Sequence, residues 1–167
     1  MHRATSIHRV LSVAISIIAA IAGRASAVTF TNSTPITIPG PGSSGGTGIS
    51  VSGLGNSLTG VSVQIMAFSD TDAQNVGLVL VGPTGAALVL EGGAGGSGPV
   101  PNVTLTLIDG ATPLPSNISV AGAFASTQYS LLGSFPSPGP GLAYHSPAPF
   151  GTATLLTTFA GSNPNGT

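Results

Sequence analysis

Glycine and proline interrupt this chain too often for helices to run far. Its 167 residues include 25 glycines and 14 prolines. A glycine inside a helix costs about 1 kcal/mol relative to alanine and a proline about 3 kcal/mol. Between these breaks lie short blocks of valine, leucine and isoleucine, such as Val76–Val81 and Ala86–Leu90. Short aliphatic blocks bounded by turn residues are the pattern of β-strands. Disordered Gly/Pro segments carry few aliphatics, whereas 41% of this chain is hydrophobic. The expectation is an all-β fold, a two-sheet sandwich of about eight short strands.

The strands can be placed by period. Val28–Thr31 and Ile36–Ile38 are short candidates, and Pro39–Gly48 reads as a loop. Gly48–Gly53 alternates apolar and polar residues, as a half-buried strand does. Leu58–Phe68 is expected to keep Val61, Val63, Ile65 and Ala67 on one face. Gly82-Pro83-Thr84-Gly85 has proline at the second and glycine at the fourth turn position, which suits a tight turn. The apolar runs on either side then form a hairpin buried in the core. Gly92–Gly98 reads as a flexible loop, and Val103–Leu107 alternates again. Thr112–Ser119 and Phe135–Phe150 are Pro-rich loops, and Thr152–Phe159 reads as a last strand.

Charge is rare and unevenly placed. All three arginines, Arg3, Arg9 and Arg24, precede residue 28, and there is no lysine. Met1–Arg9 is a basic stretch without acids, Val10–Ala22 is apolar, and Gly23–Ala27 ends in a small-x-small pattern. This order matches a secretory signal peptide over residues 1–27, cleaved between Ala27 and Val28. The apolar stretch is shorter than the ~20 residues a membrane helix needs. An uncleaved signal anchor is the alternative reading. The exported part, residues 28–167, has four carboxylates (Asp70, Asp72, Glu91, Asp109) and one histidine, His145. It has no side chain to neutralise phosphates, which argues against nucleic acid as a partner and against an anionic membrane surface. With no cysteine, disulfides and thiolate metal sites are excluded.

Val76–Gly96 resembles the P domain (P/Homo B domain) of proprotein convertases, most closely its bacterial secreted version. The matching residues are Leu78–Gly85, Leu88–Leu90 and Ala94–Gly96. Val100–Thr106, Pro147–Gly151 and Gly161–Thr167 follow in the same order, so the likeness covers residues 28–167. It implies a jelly-roll β-sandwich that accompanies a secreted subtilisin-like serine endopeptidase or metalloprotease, or a bacterial surface protein. It also implies a module that supports folding of a protease catalytic domain and carries no catalytic residues. Where the family is acidic before the Leu-Val-Gly-Pro run, this chain has Gln74, Asn75 and Gly77, and Gly93 stands where the family tends to have aspartate. The family continues past Asn-Gly-Thr with a tryptophan and a closing strand. A sandwich missing its closing strand is therefore expected, with reduced stability or a tendency to associate.

The candidate sites are few. A hydrolytic centre needs a nucleophile, a base and an orienting group. His145 is the one histidine after residue 27, it lies in a Pro-rich loop beside Tyr144, and no Gly-x-Ser-x-Gly elbow occurs. An exposed loop histidine is the simpler reading, so no enzyme activity is expected. Calcium takes about six to eight oxygen ligands, carboxylates among them. Asp70, Asp72 and Asp109 are the candidate calcium ligands, with Glu91 a further carboxylate. The simpler reading is solvated loop charge. Asn32, Asn102, Asn117 and Asn165 begin N-x-S/T sequons, which chance explains in a chain this rich in Asn, Ser and Thr. The functional expectation is a secreted, non-catalytic accessory or binding module whose partner is a protease catalytic domain or another secreted protein. The alternatives are a fragment of a secreted peptidase and a self-associating surface or matrix protein.

Overall fold

The computed structural model describes residues 11–12, 27–38 and 42–167. The elements are strands β1 (Leu11–Ser12), β2 (Pro35–Ile36), β3 (Val63–Asp70), β4 (Gly77–Val81), β5 (Ala87–Gly92), β6 (Val100–Leu107), β7 (Gly122–Phe124) and β8 (Thr127–Gln128), with one helix, α1 (Leu155–Phe159). A 3-10 turn at Ala73–Asn75 lies between β3 and β4. Most of the signal-peptide reading falls outside the described residues, Leu11–Ser12 and Ala27 excepted. No described helix is long and apolar enough to cross a membrane.

The fold is all-β, as its composition implies. Two three-stranded mixed sheets have the orders β3-β6-β7 and β4-β5-β8. Within each, one pair is antiparallel and the other parallel. Val63, Ile65, Phe68, Leu105 and Leu107 from the first sheet share one core with Leu88 and Leu90 from the second. Each fully buried Leu, Ile or Phe contributes roughly 1.5–3 kcal/mol over its exposed state.

The β4–β5 hairpin forms where expected. Gly82 N–H donates to the Ala86 carbonyl at 2.8 Å, and Gly85 N–H donates to the Gly82 carbonyl at 2.9 Å. Gly85 sits at φ +84°, a conformation that glycine adopts without the Cβ penalty. Every residue of β5 is buried, because both of its edges are occupied. On the edge away from β4, β8 pairs beside Glu91 and Gly92. The His145 backbone pairs further along, accepting from Val89 N–H at 3.1 Å and donating to the Ala87 carbonyl at 2.8 Å. A strand flanked and covered in this way needs no polar face, hence its unbroken apolar run.

Five expectations are corrected. Val28–Thr31 lies outside every strand. In β3, Val63 and Ile65 are buried, but Phe68 rather than Ala67 continues the inner row. The register moves from Ile65↔Leu105 to Phe68↔Val103, so β3 carries one extra residue. Ala67 takes up this bulge at φ 57°, and Met66 turns to solvent. Gly48–Gly53 forms no strand; Val51 makes a single bridge to Gly166. Gly92–Gly98 is fastened rather than loose: Ala94 and Gly95 are buried, and Gly95 N–H donates to the Pro115 carbonyl. Finally, Thr152–Phe159 is not a strand but contains α1.

Candidate functional site

Helix α1 is set by a capping box and a remote acid. Thr154 Oγ1 accepts from Thr157 N–H at 3.1 Å, and Thr157 Oγ1 accepts from Thr154 N–H at 2.8 Å. Asp109, in the turn after β6, accepts from Leu155 N–H at 3.0 Å and from Leu156 N–H at 2.7 Å. A carboxylate on the unpaired N–H groups of a first turn satisfies them and matches the helix dipole. Leu155 and Phe159, one turn apart, bury on the face this orientation presents. Asp109 therefore works as a helix cap.

Asp70 and Asp72 do come together. Asp70 Oδ1 accepts from Asp72 N–H at 2.7 Å, and Asp72 Oδ2 accepts from Asn75 Nδ2 at 2.6 Å. Asp72 Oδ1 is buried without a hydrogen-bond partner among the described residues. Asp109 does not join them: among the described residues no group of three or more His, Asp or Glu side chains is placed to hold a metal ion.

The acid that period and spacing did not single out is Glu91. It is fully buried at the end of β5. Its Oε1 accepts from Ala94 N–H at 2.6 Å, while Oε2 has no partner among the described residues. Burial pushes its carboxyl well above the ordinary value; the Ala94 and Gly93 N–H groups oppose this, and the Asp70 charge adds to it. Its place directly after Ala87–Leu90 was the available signal, because a polar residue continuing a fully buried strand is carried inside with it.

His145 is held by its backbone while its side chain is exposed. Its neighbour Tyr144 donates its hydroxyl to the Leu132 carbonyl at 2.9 Å and meets the Phe135 ring edge-on, centroids 5.4 Å apart. These contacts tie the Phe135–Phe150 loop to itself and to the 132 region. Ala27 and Val28 are exposed and lie outside any strand.

A groove of about 650 Å³ runs the length of β4. Ile38, Val51, Leu80, Leu132, Phe135 and Phe159 line it, and its lining contains no charged side chain. Its lining includes an open sheet edge, since among the described residues β4 pairs only with β5. Val76 and Gly82 both hydrogen-bond toward β5, the first through its carbonyl and the second through its N–H. By the alternation of an antiparallel ladder, Leu78 and Leu80 point their peptide groups the same way. The N–H and C=O groups of Gly77, Val79 and Val81 therefore point away from β5, along the strand that lines the groove. None of them has a hydrogen-bond partner among the described residues beyond β5. An apolar, charge-free trough with a row of open backbone donors and acceptors can bind an extended peptide as an added strand. No known family model, curated protein or solved structure matches this chain.

Proposed function

We propose that this protein is a secreted, non-catalytic binding module of the P-domain type, with a jelly-roll sandwich that engages another polypeptide. The observation that carries this reading is the charge-free groove with the open edge of β4 along it. Contiguous exposed apolar surface of this kind marks interaction sites in soluble proteins. The resemblance of Leu78–Gly85 and its flanking segments to the P domain supplies the class of partner: a subtilisin-like catalytic domain or another secreted chain. The test is to mix the purified protein with a secreted subtilisin-like catalytic domain and follow the protease by thermal melting. A rise in its melting temperature, without added proteolysis from the module alone, supports the reading. An unchanged melting temperature together with intrinsic peptidase activity overturns it.

A second reading, self-association, is favoured by the same open edge. Edge strands without charges or prolines pair readily with other chains, and Gly77–Val81 contains neither.

A further inference from the structure

We infer that the strand filling the β4 groove is the N-terminal arm Val28–Asn32 of a second copy, exchanged reciprocally in a two-fold dimer. This deepens the binding-module reading and rests on it, and on Val28 as the start of the exported chain.

The arm has the chemistry of a strand but no strand partner. Val28-Thr29-Phe30-Thr31 alternates apolar and polar residues. Residues 27–34 lie outside every strand, and the backbone groups of residues 28–31 make no hydrogen bond among the described residues. Val28 is 37% exposed and Phe30 is half-buried, so both apolar side chains of the arm keep surface that a second chain can cover. In the groove, one face of the arm would carry Val28 and Phe30 toward the apolar lining, leaving Thr29 and Thr31 outside.

Length and charge agree. At about 3.3 Å per residue, the four residues Val28–Thr31 ahead of Asn32 span four of the five residues of β4, Gly77–Val81. Neither the arm nor the groove lining has a charged side chain. With Val28 as the first residue, its α-ammonium is the one charge on the arm, at the tip, and the rest of the contact is uncharged.

The root of the arm decides between a chain of copies and a closed pair. Asn32 Nδ2 donates to Thr47 Oγ1 at 2.7 Å and to the Gly48 carbonyl at 2.5 Å. Thr47 and Gly48 line the same groove. Each arm thus leaves from the rim of its own groove. When one arm enters a facing groove, the second arm starts beside the first groove, and reciprocal exchange closes a two-fold dimer.

The test uses the secreted protein in a concentration series by sedimentation or light scattering. The expected result is a dimer that becomes monomeric in either of two variants. Phe30→Asp places a charge on the apolar face of the arm. Val79→Pro removes an N–H that points away from β5 and spares the β4–β5 ladder. An equimolar mixture of the two variants, each with one intact half, is expected to recover a weaker dimer. A dimer that survives Phe30→Asp shows that the arm is not the occupant and overturns the inference, as does a wild-type monomer at about 100 µM. Should Val79→Pro fail to fold, Phe30→Asp alone decides. If the wild type is monomeric yet binds a synthetic Val-Thr-Phe-Thr-Asn peptide, the groove remains a binding site and only the second copy is refuted. If it binds neither that peptide nor a catalytic domain, the module reading falls too.

Discussion

Asp109 Oδ2 accepts a hydrogen bond from the Leu156 backbone N–H at 2.7 Å, across 47 positions of sequence. Together with its bond to Leu155 N–H, this joins the end of one sheet to the first turn of α1. Replacing Asp109 with alanine should cost about 1–2 kcal/mol, the range of a lost cap. For a domain of this size that is a fall of several degrees in melting temperature. The same loss should appear with calcium and with a chelator. A loss seen only with calcium present would mean that Asp109 holds the ion.

Glu91 should make stability depend on pH. Its folded carboxyl lies well above the ordinary value of 4.5 because burial disfavours the charge. Between those two values the unfolded chain has released its proton and the folded chain has kept it. Stability therefore falls as pH rises across that window. Glu91→Gln keeps an oxygen for Ala94 N–H and removes the titration. Denaturation curves at several pH values should slope downward for the wild type in this window and lie flatter for the variant.

Ala67→Gly should stabilise the protein. Ala67 holds φ 57° in the β3 bulge, a conformation costing an L-residue about 1–2 kcal/mol. The greater freedom of glycine in the unfolded chain returns about 0.4–1 kcal/mol of that. A net gain of about 0.5–1 kcal/mol in urea midpoint analysis is expected, and a destabilised variant would contradict it.

Gly95→Ala should do the opposite. Gly95 has φ +96°, and a Cβ there would lie 2.6 Å from the Ala73 Cβ. Both residues are buried, so neither side can give way into solvent. A loss above about 2 kcal/mol is expected from strain and overpacking, read as an earlier midpoint in chemical denaturation.

Where the chain's own neighbours decide a conformation, sequence was enough. The Gly82–Gly85 turn and the apolar runs beside it specify the β4–β5 hairpin, because the turn residues and the strand residues lie within a few positions. The alternation Val103, Leu105, Leu107 places the inner face of β6 for the same reason, and those three side chains are buried. In Thr152–Phe159 the threonines favoured a strand. The competing signals were the Thr154/Thr157 box and the one-turn spacing of Leu155 and Phe159, which only Asp109 makes decisive.

Sequence by itself determined the all-β class, the central hairpin and the acidic, lysine- and arginine-free stretch that follows residue 27. The tertiary structure decided that one of those acids is sealed in the core within reach of the Asp70 charge, that another caps a helix, and that Asp72 stands beside Asp70. It also decided that β3 slips by one residue at Ala67, and that an uncharged groove lies along β4. The division has a physical cause. Turn preference and strand period act over a few bonds, whereas burial, capping across the fold and an open sheet edge are properties of surfaces that distant segments make together.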